Sequence, residues 1–164
     1  MLSEALLPEY DHEMAVTRAL LTVLPDDALD WKPHEKSFSL GDLAAHVVNI
    51  PTWVGVTIDQ DVLDMSGVSP SPPRGRRADL LALFDANVAE ARKKLAGASD
   101  DTLRGTWALQ SGDVEHFRMP RIAVLRGFVL NHIIHHRGQL TVYLRLRNVP
   151  LPSVYGPTAD EAAF

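Results

Sequence analysis

The fold is decided by the segment RIAVLRGFVLNHIIHHRGQLTVYLRLR, which occupies residues 121–147. Five of its side chains recur at spacings of three, four and seven residues, and so they share one face of a helix. These side chains are Leu125, Val129, His132, His136 and Leu140. The pattern predicts one long terminal helix whose apolar face is buried against other helices.

Three earlier stretches show helical periodicity of the same kind. The predicted helices cover residues 3–24, 40–61 and 77–95. Ser39 and Asp42 form a capping-box pattern at the start of the second helix, and Pro51 should kink or break it. Pro8 should delay the start of the first helix by about a turn. Four helices with one apolar face each predict an all-α four-helix bundle, in a single domain over residues 1–164.

The stretches between these helices predict loops. Residues 66–75 contain three prolines and resemble a linker. Residues 102–119 lack helical periodicity and flank a turn-forming Ser111-Gly112-Asp113, so they are compatible with a short irregular hairpin. The segment 28–38 resembles an ordered loop that Trp31 holds in place.

Composition excludes several classes of protein. The chain has 164 residues, 46% hydrophobic and 23% charged, with a formal net charge of -5. An acidic chain lacks the basic surface that binds a phosphate backbone, so no nucleic-acid partner is expected. There are no cysteines, which excludes disulfides, a Cys nucleophile and thiolate ligands. No apolar run is long enough to cross a membrane, and no signal peptide precedes the first helix, so we expect a cytoplasmic protein.

Two histidines in the terminal helix suggest a metal site. His132 and His136 are separated by four residues, so their rings lie one turn apart on the buried face. Buried imidazoles need polar partners, because an unpaired buried polar group costs roughly 1–3 kcal/mol. A metal ion would provide one partner for both imidazole rings. The pair alone leaves the alternative open that both are core or interface histidines paired with protein groups.

His46 favours the metal interpretation. It lies in the apolar sequence LAAHVV of the second predicted helix, where nothing local explains a histidine. A third imidazole from a facing helix would complete three nitrogen ligands and leave a position for water or substrate, as in catalytic zinc sites. His135 points about 100° away from His136 along the helix, so it is left out of the ligand set.

Several motifs together are similar to the DinB-like family. They are LPDD (24–27), WKP (31–33), SLGDLAAH (39–46), NHIIHHRGQL (131–140), YLRL (143–146) and PSVYG (152–156). The resemblance implies a four-helix bundle in up-down-down-up order, with a long crossover between helices two and three. It also implies a homodimer, and zinc or nickel bound by His46, His132 and His136. Some members are similar to enzymes that use thiols such as bacillithiol or mycothiol.

The leading hypothesis is therefore a metal-dependent transferase or hydrolase that acts with a small-molecule thiol on an electrophile. Glu13 is the candidate general base or fourth ligand, although a solvated helix face explains it more simply. Gln139 can orient a metal ligand, because it lies three residues from His136. Tyr155 is compatible both with closing over the site and with ordinary packing. Arg137 should face away, as a salt-bridge or dimer residue.

Two rival hypotheses remain open. In the first, the protein is a non-catalytic dimeric bundle whose metal stabilises the fold, or a stress-response binding module. The lack of a firm general base favours this alternative, and an open coordination position disfavours it. In the second, His132 and His136 are dimer-interface residues and there is no metal.

Overall fold

The chain is mostly helical in the computed structural model, which describes residues 1–67 and 75–161. The helices are α1 (Leu2–Thr22), α2 (Leu40–Asn49), α3 (Thr52–Asp59), α4 (Arg77–Gly97), α5 (Asp100–Arg104), α6 (Arg121–Val124) and α7 (His132–Leu146). A 3-10 turn occupies Asp26–Ala28, and a π-helical segment occupies Leu125–Asn131. Within the described residues, no helix combines the length and apolarity that a membrane crossing requires.

The core lies where helices α1, α2, α3, α4 and α7 meet. Helix α4 contacts α1, α2 and α3, and α7 contacts α1 and α2. Leu20, Leu43, Leu140 and Leu144 are at most 1% exposed at these contacts. Each buried leucine contributes about 1.5–3 kcal/mol relative to an exposed one, so the predicted apolar stripes hold the helices together.

The first helix begins earlier than Pro8 predicts. Helix α1 starts at Leu2 and continues through Pro8 without a break. Its first turn is held by the Asp100 carboxylate, which accepts a hydrogen bond from the Leu2 amide at 2.7 Å. Leu6 and Tyr10 on either side of Pro8 are buried in the core. Tertiary burial and this distant cap outweigh the missing hydrogen bond of Pro8, so the predicted delay was wrong.

The second predicted helix is broken at Pro51. Helix α2 ends at Asn49 and α3 begins at Thr52. The capping box at its start is present, because the Asp42 amide donates to Ser39 Oγ at 3.0 Å and the Ser39 amide to Asp42 Oδ2 at 3.4 Å. The predicted start signal and the predicted break are both confirmed.

A three-stranded mixed sheet corrects the all-α prediction. Strand β2 (Thr106–Ser111) pairs antiparallel with β3 (Val114–Pro120), which confirms the hairpin, and Gly112 at its turn has φ +56°. Strand β1 (Val62–Asp64) then adds to β2 in parallel. Because β1 has only three residues and pairs with a strand more than 40 residues away, it leaves no periodicity in the sequence.

The sheet is tied to the helices by the buried guanidinium of Arg121. It donates to the backbone carbonyls of Thr57 at 2.8 Å, Thr106 at 2.9 Å and Gln60 at 3.0 Å. It also contacts the Asp61 carboxylate at 2.5 Å. One side chain therefore satisfies the ends of α3 and β2, where backbone oxygens would otherwise lack partners.

The last helix has the predicted extent but not uniform geometry. It runs from Arg121 to Leu146, and the seven residues Leu125–Asn131 are π-helical. Such segments are rare and often lie at functional sites, which directs attention to the residues that follow it. The predicted linker and crossover fall largely on residues 68–74, which lie outside the described residues.

Candidate metal centre

Three histidines converge from two parts of the chain. His46 lies in the middle of α2, His132 is the first residue of α7, and His136 follows one turn later. Because α2 packs against α7, the ring of His46 meets the pair. The centroid of the His46 ring lies 5.0 Å from that of His132 and 4.5 Å from that of His136. The centroids of the His132 and His136 rings are 4.7 Å apart.

The separation of the nitrogens fits one small metal ion. His46 Nε2 and His132 Nε2 are 3.1 Å apart, and one ring nitrogen from each of the three residues lies within 4.8 Å of the others. Two nitrogens bound to zinc at about 2.0–2.1 Å in tetrahedral geometry would be about 3.3 Å apart. The triad can therefore hold a metal ion with little movement of its side chains.

The surroundings keep all three imidazoles neutral. Each ring is half-buried, and burial is the main cause that lowers the pKa of His46, His132 and His136. The pKa of His46 falls furthest, to about 4, because the other two imidazoles also oppose its charging. Neutral imidazole is the form that binds metals, so the site does not have to lose protons near pH 7.

Hydrogen bonds at the far nitrogens orient two of the rings. His132 Nδ1 lies 3.3 Å from the carbonyl oxygen of Phe128, in the π-helical segment. His136 Nδ1 lies 2.7 Å from Gln139 Oε1. Both partners are acceptors, so each Nδ1 carries the proton and each Nε2 keeps a free lone pair. The structure thus gives Gln139 a contact with the triad, and it adds Phe128, which the sequence does not single out.

Glu13 lies neither at the triad, where a general base or fourth ligand would be, nor on a solvated helix face. It is 4% exposed, so the solvated-face interpretation was wrong. Its carboxylate forms an ion pair of 2.6 Å with Arg137, which is 1% exposed, and accepts a hydrogen bond of 2.7 Å from the Tyr155 hydroxyl. It is not a member of the group of residues that could share one ion. The buried position has a sequence signal only in retrospect: Tyr10, Glu13 and Thr17 share one stripe of α1.

The side chains of Tyr155 and Arg137 contact Glu13 and not the triad. The Arg137 guanidinium lies 5.1 Å from the centre of the Tyr155 ring, and His12 stacks on that ring at 6.2 Å. Arg137 is a salt-bridge residue, as predicted, but a buried one. Tyr155 joins the C-terminal segment to α1 through its hydroxyl, but the residue is 63% exposed and its described contacts do not reach the triad.

The remaining histidines lie outside the triad, although His135 is close to it. The His135 side chain is exposed, and its ring lies 4.8 Å from that of His136. His116 contacts Ser111 at 2.9 Å in the hairpin. Phe38, which is 52% exposed, lies with its ring 6.0 Å from His46 and forms an apolar edge of the site.

Comparison with known proteins gives consistent results. The model of the DinB family matches residues 2–163. The uncharacterised protein YrdA of Bacillus subtilis is 26% identical over 161 residues, which cover 96% of this chain and 90% of YrdA.

Two solved structures show a similar fold. A DinB-like protein from Bacillus cereus has a TM-score of 0.71 at 23% identity, with 93% of this chain and 97% of that chain covered. The DinB-like protein YjoA from Bacillus subtilis has a TM-score of 0.70 at 21% identity, with 92% and 96% covered.

Proposed function

This chain belongs to the DinB family, and we propose that it is a metal-dependent transferase or hydrolase that acts with a low-molecular-weight thiol. The observation that carries the proposal is the histidine triad, His46, His132 and His136, which can hold one divalent ion at a half-exposed position. Three protein ligands leave room for a further ligand from solution, as in catalytic zinc sites.

Zinc or nickel is the proposed ion, because imidazole nitrogens suit both. A divalent ion held there lowers the pKa of a bound water or thiol toward neutrality. The chain contains no cysteine, so the thiol in this proposal is a small molecule. We further propose a cytoplasmic homodimer, with the helices as a bundle in up-down-down-up order.

The protein's own groups prepare the site. In this proposal the Phe128 carbonyl and Gln139 accept hydrogen bonds from Nδ1 of His132 and His136, which leaves the Nε2 lone pair of each ring free to bind the ion. Phe38 covers one side of His46 with an apolar ring. In this proposal the Phe38 ring limits the directions from which a substrate can approach His46.

A non-catalytic metal-stabilised protein is the second candidate, and the position of Glu13 favours it. The Glu13 carboxylate is held by Arg137 and Tyr155, and among the described residues no acidic side chain joins the triad. If the protein were an enzyme, its general base would have to come from solution, and catalysis would depend on the ion lowering the pKa of its bound water or thiol.

Metal content tests the proposal first. Elemental analysis of purified protein should find about one divalent ion per chain, and His46→Ala should lose it. His135→Ala is the matched control, since this histidine adjoins the triad without belonging to it. Unchanged metal content in His46→Ala would exclude the triad as a ligand set and favour histidines at an interface.

Thiol transfer separates the two candidates. The metal-loaded protein is incubated with bacillithiol or mycothiol and an electrophile such as monochlorobimane, and product is compared with His46→Ala. Activity that requires the metal supports the enzyme. Loss of the fold on chelation, without any thiol transfer, supports the structural role.

A further inference from the structure

An open groove lies along the last helix beside the triad. Its lining residues are Gly127, Phe128, Asn131, His132 and His135. They are spaced by three, four and one residues, so they form one face of the helix. His132 belongs both to this groove and to the triad, and the two sites are therefore continuous.

The Phe128 ring, which lines the groove, packs against other aromatic rings. The Phe128 ring stacks with Phe117 at 4.7 Å and an interplanar angle of 20°, and with Trp53 at 6.2 Å and 9°. Trp107, which is fully buried, lies 6.0 Å from Phe117 and 6.4 Å from Trp53. Phe128 thus has two direct ring partners, which Trp107 supports in turn, and a ring held in this way does not have to be ordered when a ligand binds.

We propose that this groove binds a planar aromatic group of a small-molecule substrate and presents the adjoining atoms of that substrate to the triad. Aromatic ligands gain from ring–ring contacts beyond the area that they bury, and Phe128 provides such a contact. Asn131 and His135 are exposed at the groove and can hydrogen-bond a polar substituent of the ring. The binding of the aromatic group stands by itself, whereas its presentation to the triad rests on the proposed function.

A glycine in the groove allows a sharp test. Apart from its chain neighbours and the adjacent helix backbone, a Cβ atom added at Gly127 would meet no atom within 4 Å, so a larger side chain there enters open space. Gly127→Leu should therefore fold and fill the groove. Gly138→Leu is the matched control, because Gly138 is exposed on α7, has equally open surroundings and does not line the groove. Leucine is a better helix former than glycine, so neither variant should melt below the wild type.

The probe is 2-naphthol, with its saturated counterpart decahydro-2-naphthol for comparison. Ligand-observed NMR titration of the full chain, as purified, measures both dissociation constants. We expect wild-type protein to prefer the aromatic compound by about two- to tenfold, from the ring–ring contact. Gly127→Leu should weaken 2-naphthol binding at least tenfold, and Gly138→Leu should leave it within twofold.

Three results would overturn the proposal. They are equal binding of the two compounds, unchanged binding to Gly127→Leu, and an equal loss in both leucine variants. A fourth result that would overturn it comes from analytical ultracentrifugation of the same samples, which measures the oligomeric state. If the protein is a dimer and Gly127→Leu alone dissociates it, the groove is an interface between two copies of the chain.

The metal hypothesis and the groove proposal can be tested independently of each other. His46→Ala should still bind 2-naphthol, since His46 does not line the groove. If elemental analysis finds no metal but Gly127→Leu still blocks the probe, the aromatic groove stands and the proposed function falls. If metal and thiol transfer are present but 2-naphthol does not bind, the groove proposal falls and the function stands.

Discussion

The buried ion pair between Glu13 and Arg137 should be the most sensitive polar contact between α1 and α7. Its N···O distance is 2.6 Å, and the two side chains are only 5% and 1% exposed. Arg137 also donates to the Glu13 backbone carbonyl at 3.1 Å. Arg137→Met removes these contacts and leaves a buried carboxylate whose described side-chain partner is the Tyr155 hydroxyl.

The expected cost is large because the remaining charge cannot reach water. Breaking a buried pair by removing one partner costs about 3–5 kcal/mol. For a domain of this size, each kcal/mol shifts Tm by about 2–4 °C, so Arg137→Met should melt about 6–20 °C lower. Urea denaturation followed by circular dichroism measures the free energy of unfolding, and a thermal melt measures Tm.

Two further variants decide whether the pair itself is responsible. Arg126→Met, also in the terminal helical segment, removes an exposed ion pair with Glu9 and should cost less than about 1 kcal/mol. The double variant Glu13→Met/Arg137→Met removes both charges and should recover most of the loss. A loss in Arg137→Met below about 1 kcal/mol, or a double variant as unstable as the single one, would refute the reasoning.

Three other predictions concern the triad and the sheet. In EDTA, the free energy of unfolding should fall as the pH drops from about 6.5 toward 4, because His46 has a pKa of 6.5 when unfolded and about 4 when folded, and protons therefore favour the unfolded chain. Since the pKa values of His132 and His136 are lowered too, His46→Asn should reduce the pH dependence of the urea midpoint in this range without abolishing it. Gln139→Ala should weaken metal binding about 10- to 100-fold in a competitive chelator titration, whereas a surface variant such as Val142→Ala should not change it. Arg121→Met leaves three backbone carbonyls without their partner and should cost at least about 3 kcal/mol in urea denaturation, and a cost like that of Arg118→Met on the exposed hairpin would contradict this role.

Local signals in the sequence predicted the helical elements well because their causes are local. The Ser39 capping box places the start of α2 at Leu40, and Pro51 interrupts the helix where the backbone loses a donor. The spacing of His132 and His136 puts them one turn apart in any helix, whatever surrounds it. The hairpin could be predicted from the sequence too, since Ser111-Gly112-Asp113 provides a glycine at the turn, where φ is positive.

Non-local contacts were not predictable in the same way. Strand β1 exists because Val62 and its neighbours find β2, and Asp100 caps a helix that begins 98 residues earlier. Glu13 appears solvated in the sequence because its partner Arg137 is 124 residues away. The π-helical segment before His132 contains one glycine, Gly127, and no proline, which does not distinguish it from an ordinary α-helix in the sequence.

By itself, the sequence determined which residues can bind a metal and how two of them are spaced, because side-chain chemistry and helix geometry are properties of the residues and their immediate neighbours. Only the tertiary structure decided that His46 reaches that pair, that Glu13 is occupied elsewhere, and that an aromatic groove continues from the triad. Those facts depend on which helix faces meet, and burial of apolar surface over the whole chain chooses the faces.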